Sequence, residues 1–326
     1  MNLKQRTACL AAPIVALAVS AAAHAQPAYP AKPILVIVPL AAASASDVAV
    51  RTLTERLSTV LKQQIVVENQ PGAAGRIGTE RAAKAAPDGY TLTALNSSIM
   101  TTLPHVYEKI AYDSFQSFVP ITMLVTIPTV LIVHPSLPVK SVKELVAFAK
   151  ARPDQLLFSS GGVGSPQHLA MEMFKTTVRA GLTHVPYKGA VPATTDLIGG
   201  HVQVMFNGLS FPLPYVRSGR LRALAMTGTK RTQLLPDIPT MQEAGISGYV
   251  YEQWLGLFAP ARTPPEIINR LYAESVKILS SQDVRDRLLQ QALEPQGGAP
   301  EDVTNVLRDD FPRMAKIIKQ VGIKPE

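Results

Sequence analysis

ILVIVPLAAASASDVAVRTLTERL, residues 34–57, sets the fold class. Residues 34–38 form a continuous apolar run of strand length. A loop of small residues follows, PLAAASASD at 39–47. Val48, Leu53, Leu57 and, just beyond, Leu61 then recur at helical spacing. The unit repeats outward from there, with a second strand at 65–67, a helix at 76–85 and a third strand at 91–95. Strand, loop and helix in alternation imply a parallel sheet covered by helices, an α/β fold.

The alternation restarts after Pro135. Ser141 and Glu144 read as a capping box ahead of Val142, Leu145, Val146 and Ala149 on one helical face. Residues 156–158 read as a strand, and Ser165-Pro166 as an N-cap with a first-turn proline for a helix through Phe174. Further strands are expected at 184–186, 202–206 and 221–226. From Thr263 the pattern is helical: Thr263, Pro264 and Glu266 suggest a second capping box, and Val303, Val306, Leu307 and Met314 lie at helical spacing. The apolar stretch 119–135 is interrupted by Pro120 and Pro128, which predicts two short strands joined by a bend.

The C-terminal helical part has no sheet of its own, so it must pack on an earlier one. The simplest topology places residues 26–126 plus 250–326 in one lobe and 127–249 in a second lobe inserted into it. Two crossings of this kind make a hinge, and the cleft between lobes makes a site. The alternative is one continuous domain.

The first 25 residues read as a secretory leader. Lys4 and Arg6 precede an apolar run at 8–22, and Ala23-His24-Ala25 offers small residues for cleavage before Gln26. The run is short of the ~20 residues a membrane span needs. Cys9 is the only cysteine and lies ahead of the cut, so the mature chain is expected to lack disulfides, cysteine-bound metal and a thiol nucleophile. Formal net charge is +8, and loss of Lys4 and Arg6 leaves +6. The basic residues are dispersed, without the Lys/Arg stripe and aromatics of a nucleic-acid surface.

Four strand-to-helix loops are unusually small and polar: 39–47, ENQPGAAGRIG at 68–78, Asn96-Ser97-Ser98, and SSGGVGSPQH at 159–168. All follow the carboxyl ends of strands, where open α/β sheets bind ligands. Small side chains let a ligand reach backbone N–H groups at the next helix start, which favours an anion. Each loop taken alone also fits an ordinary turn. Glycines 72, 75 and 78 do not make a nucleotide fingerprint.

A hydrolase can be assembled from Ser160, Ser165, His168, His184 and Asp196, but no G-x-S-x-G elbow supports it. No H-E-x-x-H occurs and the carboxylates do not cluster, so neither metal nor cofactor is expected. Asp196 is either a solvated helix-face acid or an acceptor for a ligand donor; Tyr187 offers a hydroxyl, and Asn207 both a donor and an acceptor.

An ordered set of short motifs carries a further resemblance. It comprises YPAKPI at 29–34, VENQPGAAG at 67–75 with Ile77-Gly78, PDGYTL at 87–92, Gly164-Ser165 with His168-Leu169, HVPYKG at 184–189, Asp196-Leu197 with Gly199-Gly200, and Leu234 with PDIPT at 236–240. In these the chain resembles the solute-binding receptors of tripartite tricarboxylate transporters, the Bug family, over essentially its whole mature length. The resemblance implies a periplasmic, two-lobed flytrap fold, each lobe a mostly parallel sheet flanked by helices, joined by two crossing strands. It implies a ligand carboxylate held by the first two loops, here Ala41, Ala42, Ala43, Ser44, Ser46 and Asp47 with Ala73 and Ala74. Second-lobe contacts would come from Ser160, Gly164, Ser165, His168, Tyr187, Asp196 and Asn207, while the third small loop adds Ser97. The implied partner is a membrane permease of one large and one small subunit, served by a monomeric receptor without catalysis. A receptor feeding a sensor kinase would look the same in sequence.

One departure stands out. The family's first loop usually reads Phe-Ala-Ala-Gly-Gly, whereas here Leu40 replaces the Phe and Ala43-Ser44 the two glycines. Either these positions have ordinary φ here or the loop is reshaped, and ligand preference or affinity would change with it.

Overall fold

The computed structural model describes residues 29–323. The leader, its cut before Gln26 and Cys9 lie outside them.

The opening segment folds as its pattern predicts. β1 (Ile34–Val38) leads through the small loop into α1 (Ala45–Leu61). β2 (Ile65–Asn69), α2 (Arg76–Ala83) and β3 (Thr91–Asn96) complete two repeats of the unit, with β1 parallel to both neighbours. Val36, Val38, Leu53, Leu57 and Leu92 bury together, each leucine contributing on the order of 2 kcal/mol by leaving water. Two short helices, α3 (Ser97–Thr101) and α4 (Leu103–Val106), precede β4 (Phe118–Ile127).

A second sheet is built from β5 (Thr129–Val133), β6 (Leu157–Ser160), β7 (Thr183–Pro186), β8 (Val204–Gly208) and β9 (Arg222–Met226). Its helices are α5 (Val142–Ala151), α6 (Pro166–Val178), α7 (Ala190–Ile198) and α8 (Leu213–Arg217). The chain then returns to the first sheet as β10 (Gln253–Pro260) and ends in α9 (Pro265–Ser280), α10 (Gln282–Gln290), β11 (Glu294–Pro295) and α11 (Pro300–Val321). Strand order is β11-β4-β10-β3-β1-β2 in the first sheet and β7-β6-β8-β5-β9 in the second.

Each sheet is mixed, which corrects the expectation of mostly parallel ones. Parallel pairing is confined to the strand-helix-strand units, β1 with β2 and β3, and β6 with β7 and β8. The strands that carry the chain between sheets run against their neighbours: β10 is antiparallel to β3 and β4, and β5 to β8 and β9. Only Pro128 separates β4 from β5, and Gln253 opens β10 opposite Ile127. The Thr227 amide donates to the Thr129 carbonyl at 2.9 Å and the Tyr251 amide to the Thr227 carbonyl at 3.0 Å, so the two crossings are tied side by side.

Three local expectations are corrected. Pro120 does not interrupt β4; it sits opposite Phe258 beside a register shift, the kind of irregularity at which a strand tolerates proline. At α5 the Ser141 Oγ accepts from the Glu144 amide, but the Glu144 carboxylate takes the Lys140 amide at 2.7 Å, one residue before the cap. The second capping box does not form: α9 starts at Pro265, and the Thr263 hydroxyl donates instead to the Pro260 carbonyl at 2.7 Å. The C-terminal part also adds a short strand, β11, to the first sheet, and its last helix reaches both cores. Val303 and Leu307 of α11 pack with Trp254 and Phe258, whereas Met314 and Ile318 join the second lobe's core around Phe174 and Tyr249.

Candidate functional site

The small loops of the two lobes face each other across a cavity of about 50 Å³, room for a few water-sized centres. The N-cap residues of four helices line it: Ser44 of α1, Asn96 of α3, Ser165 of α6 and Gly189 of α7. Three of the caps are fixed by their own side chains. Ser44 Oγ accepts from the Asp47 amide, Asn96 Oδ1 from the Ile99 amide and Ser165 Oγ from the His168 amide. The first-turn amides of these helices have no intrahelical partner, and together they place a positive potential in the cavity. Among the described residues, no Asp, Glu, Lys, Arg or His side chain lines it. A wider hollow of about 320 Å³ shares Ile127 and Gln253 with this cavity, but its lining contains no helix start.

The residues singled out in the sequence divide into three groups. Ala41, Ser44, Ser46, Ala74, Ser165 and Asn207 line the cavity. A second group holds the loops in shape. Asp47 is buried and turned inward: its Oδ2 accepts from the Ala43 amide at 2.8 Å, and its Oδ1 from Arg51 Nε and Asn69 Nδ2, both at 2.9 Å. Asn69 also donates to the Leu40 carbonyl at 3.1 Å, so Asp47 and Asn69 together fold the first loop onto β2. Ser160 is fully buried, with Oγ 2.6 Å from His184 Nε2 and accepting from the Gly162 amide at 3.1 Å. His168 Nδ1 accepts from the Gly164 amide at 3.2 Å, which puts the ring proton on Nε2. The His168 and His184 rings stack at 4.2 Å, and His184 stacks in turn on Phe158 at 4.7 Å. Burial holds His168 down to about 3, with His184 and Lys175 adding to the effect, so its 3.8 Å approach to Glu172 is no ion pair. Gly164 is one point where the lobes meet: its carbonyl accepts from Ser98 Oγ at 2.6 Å.

The third group lies off the cavity wall. Ala42 and Ala43 are exposed, and Ala73 does not reach the cavity. Ser97 is buried with its Oγ unpartnered, against Thr102 and Asp310 rather than the cavity. Tyr187 donates to Asp196 Oδ2 at 2.6 Å, so each occupies the group that the sequence had offered to a ligand. Sequence reasoning passed over Gln253 and Gly189, and it marked the loops that carry Asn96 and Gln167 without singling out those two side chains. Gln167 had a signal, since the residue after Ser-Pro at a helix start stands at the helix mouth.

The altered first loop resolves into two different positions. Ser44 has an ordinary φ of −67°, but Ala43 sits at +60°, in the left-handed region where glycine is favoured. Ala43→Gly is therefore expected to stabilise the protein by about 0.5–1 kcal/mol, relief of strain exceeding the added chain entropy. Denaturant midpoints would show it; an unchanged or lower midpoint would mean the loop carries no strain.

A family model described as tripartite tricarboxylate transporter family receptor matches residues 49–323. The chain belongs to this family. It is a periplasmic solute-binding protein. The chain is 36% identical to protein BugT of Bordetella pertussis over 297 residues, 91% of each chain. Among solved structures, it matches R. palustris Rpa4515 with adipate at 34% identity and a TM-score of 0.89, covering 91% of this chain and 100% of that one. MatC from Rhodopseudomonas palustris with bound malate matches at 29% identity and a TM-score of 0.85, covering 89% and 100%.

Proposed function

We propose that the protein captures a small carboxylate-bearing solute between its lobes, 26–126 plus 250–326 and 127–249, and delivers it to the permease subunits of a tripartite tricarboxylate transporter. The carrying observation is the convergence of four helix starts on a cavity without charged side chains. A carboxylate there replaces water with fixed N–H donors, and charge-assisted bonds of this kind are about twice as strong as neutral ones. That Rpa4515 and MatC have structures with adipate and malate supports the same ligand class. The small volume favours a compact acid. Because both lobes line the cavity, ligand favours the closed arrangement and shifts the population toward it.

The receptor acts without chemistry in this reading, as a monomer released from its leader before Gln26. Ser160 and His184 make a hydrogen-bonded pair, but Ser160 is buried, burial holds His184 down to about 4, and Asp196 is taken by Tyr187. Such a histidine is a weak base, and no acid orients it.

Thermal melts with mono-, di- and aromatic carboxylates test the ligand class. A ligand at a hundred times its Kd contributes about 2.7 kcal/mol, which should raise Tm by roughly 4 °C. Melts unmoved by every member of the panel at millimolar concentration would remove the carboxylate reading.

A further inference from the structure

Gln167 stands at the second position of α6, and its side chain is more than nine-tenths buried against the cavity. Its amide ends a relay that runs through the second lobe. Gln167 Nε2 donates to Asn207 Oδ1 at 3.1 Å, Asn207 Nδ2 donates to Thr194 Oγ1 at 2.8 Å, and the Thr194 hydroxyl donates to the Ala190 carbonyl at 2.8 Å.

The far end of the relay sets its direction. A carbonyl oxygen only accepts, so Thr194 spends its single proton on Ala190. The other neighbour of that hydroxyl, Met205 Sδ at 3.5 Å, is also an acceptor only. Thr194 Oγ1 must then accept from Asn207, which turns the Asn207 oxygen toward Gln167. Gln167 in turn commits its nitrogen inward. Its Oε1 has no hydrogen bond among the described residues and lies beside Gly161, 3.2 Å from where a Cβ on that residue would stand. The side chain thus offers the cavity its fixed oxygen acceptor, while one of its two N–H groups is spent on Asn207. Gln253 is ordered in a similar way, donating to Thr129 Oγ1 at 2.5 Å, but it borders both hollows, so Gln167 carries the argument.

We propose that Gln167 is the selectivity residue of this cleft, and that the preferred solute is a small carboxylate bearing a hydroxyl or ammonium donor. The assignment rests on the carboxylate reading above and deepens it. Helix-start amides take the acid group, and the fixed Oε1 takes the donor. A plain dicarboxylate presents only C–H or a second acceptor to Oε1 and leaves it unsatisfied, which should weaken binding by about tenfold or more.

Titration calorimetry with matched pairs tests the assignment: succinate against L-malate and L-aspartate, glutarate against L-glutamate, and propionate against L-lactate. The wild type should bind the donor-bearing member of a pair about tenfold tighter or better. Gln167→Leu should bring the pair to within about threefold, whatever it does to absolute affinity. Thr194→Val does not touch the solute, but it removes the group that orients Asn207, so it too should shrink the ratio; it carries the test if Gln167→Leu does not fold. Equal affinities within every pair in the wild type, or a ratio that survives both variants, overturn the assignment and leave the carboxylate reading standing. Silence from every pair overturns both.

Discussion

Gly164→Leu is expected to weaken solute binding by a hundredfold or more while both sheets stay folded. Gly164 belongs to the fourth small loop, on the second lobe, and it meets α4 of the first lobe. A Cβ there would stand 2.8 Å from Leu103 Cδ2 and 3.3 Å from Val106 Cγ1. The same residue's carbonyl takes the Ser98 hydroxyl from across the cleft. A leucine would hold the lobes apart and break that bond. If only about 1% of molecules then reach the closed arrangement, apparent affinity falls about a hundredfold. Backbone strain has to be separated from this effect, because Gly164 has φ of +74°. Gly164→Ala supplies the control. It carries the same strain, of about 1 kcal/mol, but its single methyl meets the movable end of Leu103. Calorimetry should separate the two variants widely, and small-angle scattering should show that solute compacts the wild type and not the leucine variant. A leucine variant that binds within about threefold of the alanine variant would sink the idea that closure at this contact governs affinity.

What made the site legible in the sequence was local chemistry at helix starts. Ser165 reads as a cap because a hydroxyl on extended backbone meets an amide three residues on, and this needs no knowledge of the rest of the fold; Ser44, read only as a loop residue, caps α1 in the same way. The parallel units were legible for a similar reason, since 34–57 carries its strand, loop and helix in one stretch. What was not legible depends on partners distant in the chain. Asp47 looks like a ligand residue until Asn69, 22 residues later, brings its amide to it. Tyr187 and Asp196 each looked available, and each satisfies the other. The antiparallel strands were missed because direction follows from where the chain crosses between lobes, which no local pattern encodes. Gln167 was missed for the subtler reason that its role depends on a proton count ending at Ala190.

Lowering the pH from 7 to 5 is expected to cost the protein about 2 kcal/mol through His168 alone, with a smaller addition from His184. Burial is the main cause for both rings, holding His168 down to about 3 and His184 to about 4. The His184 ring adds to the effect on His168, and the Lys175 ammonium opposes charge on both. Lys175 is itself paired with Glu172 at 2.8 Å. In the unfolded chain each histidine titrates near 6.5. The folded state therefore keeps both rings neutral at a pH where the unfolded state takes up protons. Their contribution is complete above about pH 6.5, declines as pH falls, and is gone once pH passes below the folded values. His184 is the more open ring, so water screens part of its effect. The window from pH 7 to 5 also lies above the midpoints of ordinary carboxylates, so most of the change comes from histidines, His105 among them because burial holds its ring down too. Denaturant midpoints at the two pH values measure the loss. His184→Phe keeps a ring in the stack on Phe158 but cannot take a proton, so it should lose less stability over the same interval. Midpoints that agree at pH 7 and pH 5 in the wild type would mean that the stack accommodates charge, and that the fourth loop is not held by two neutral rings.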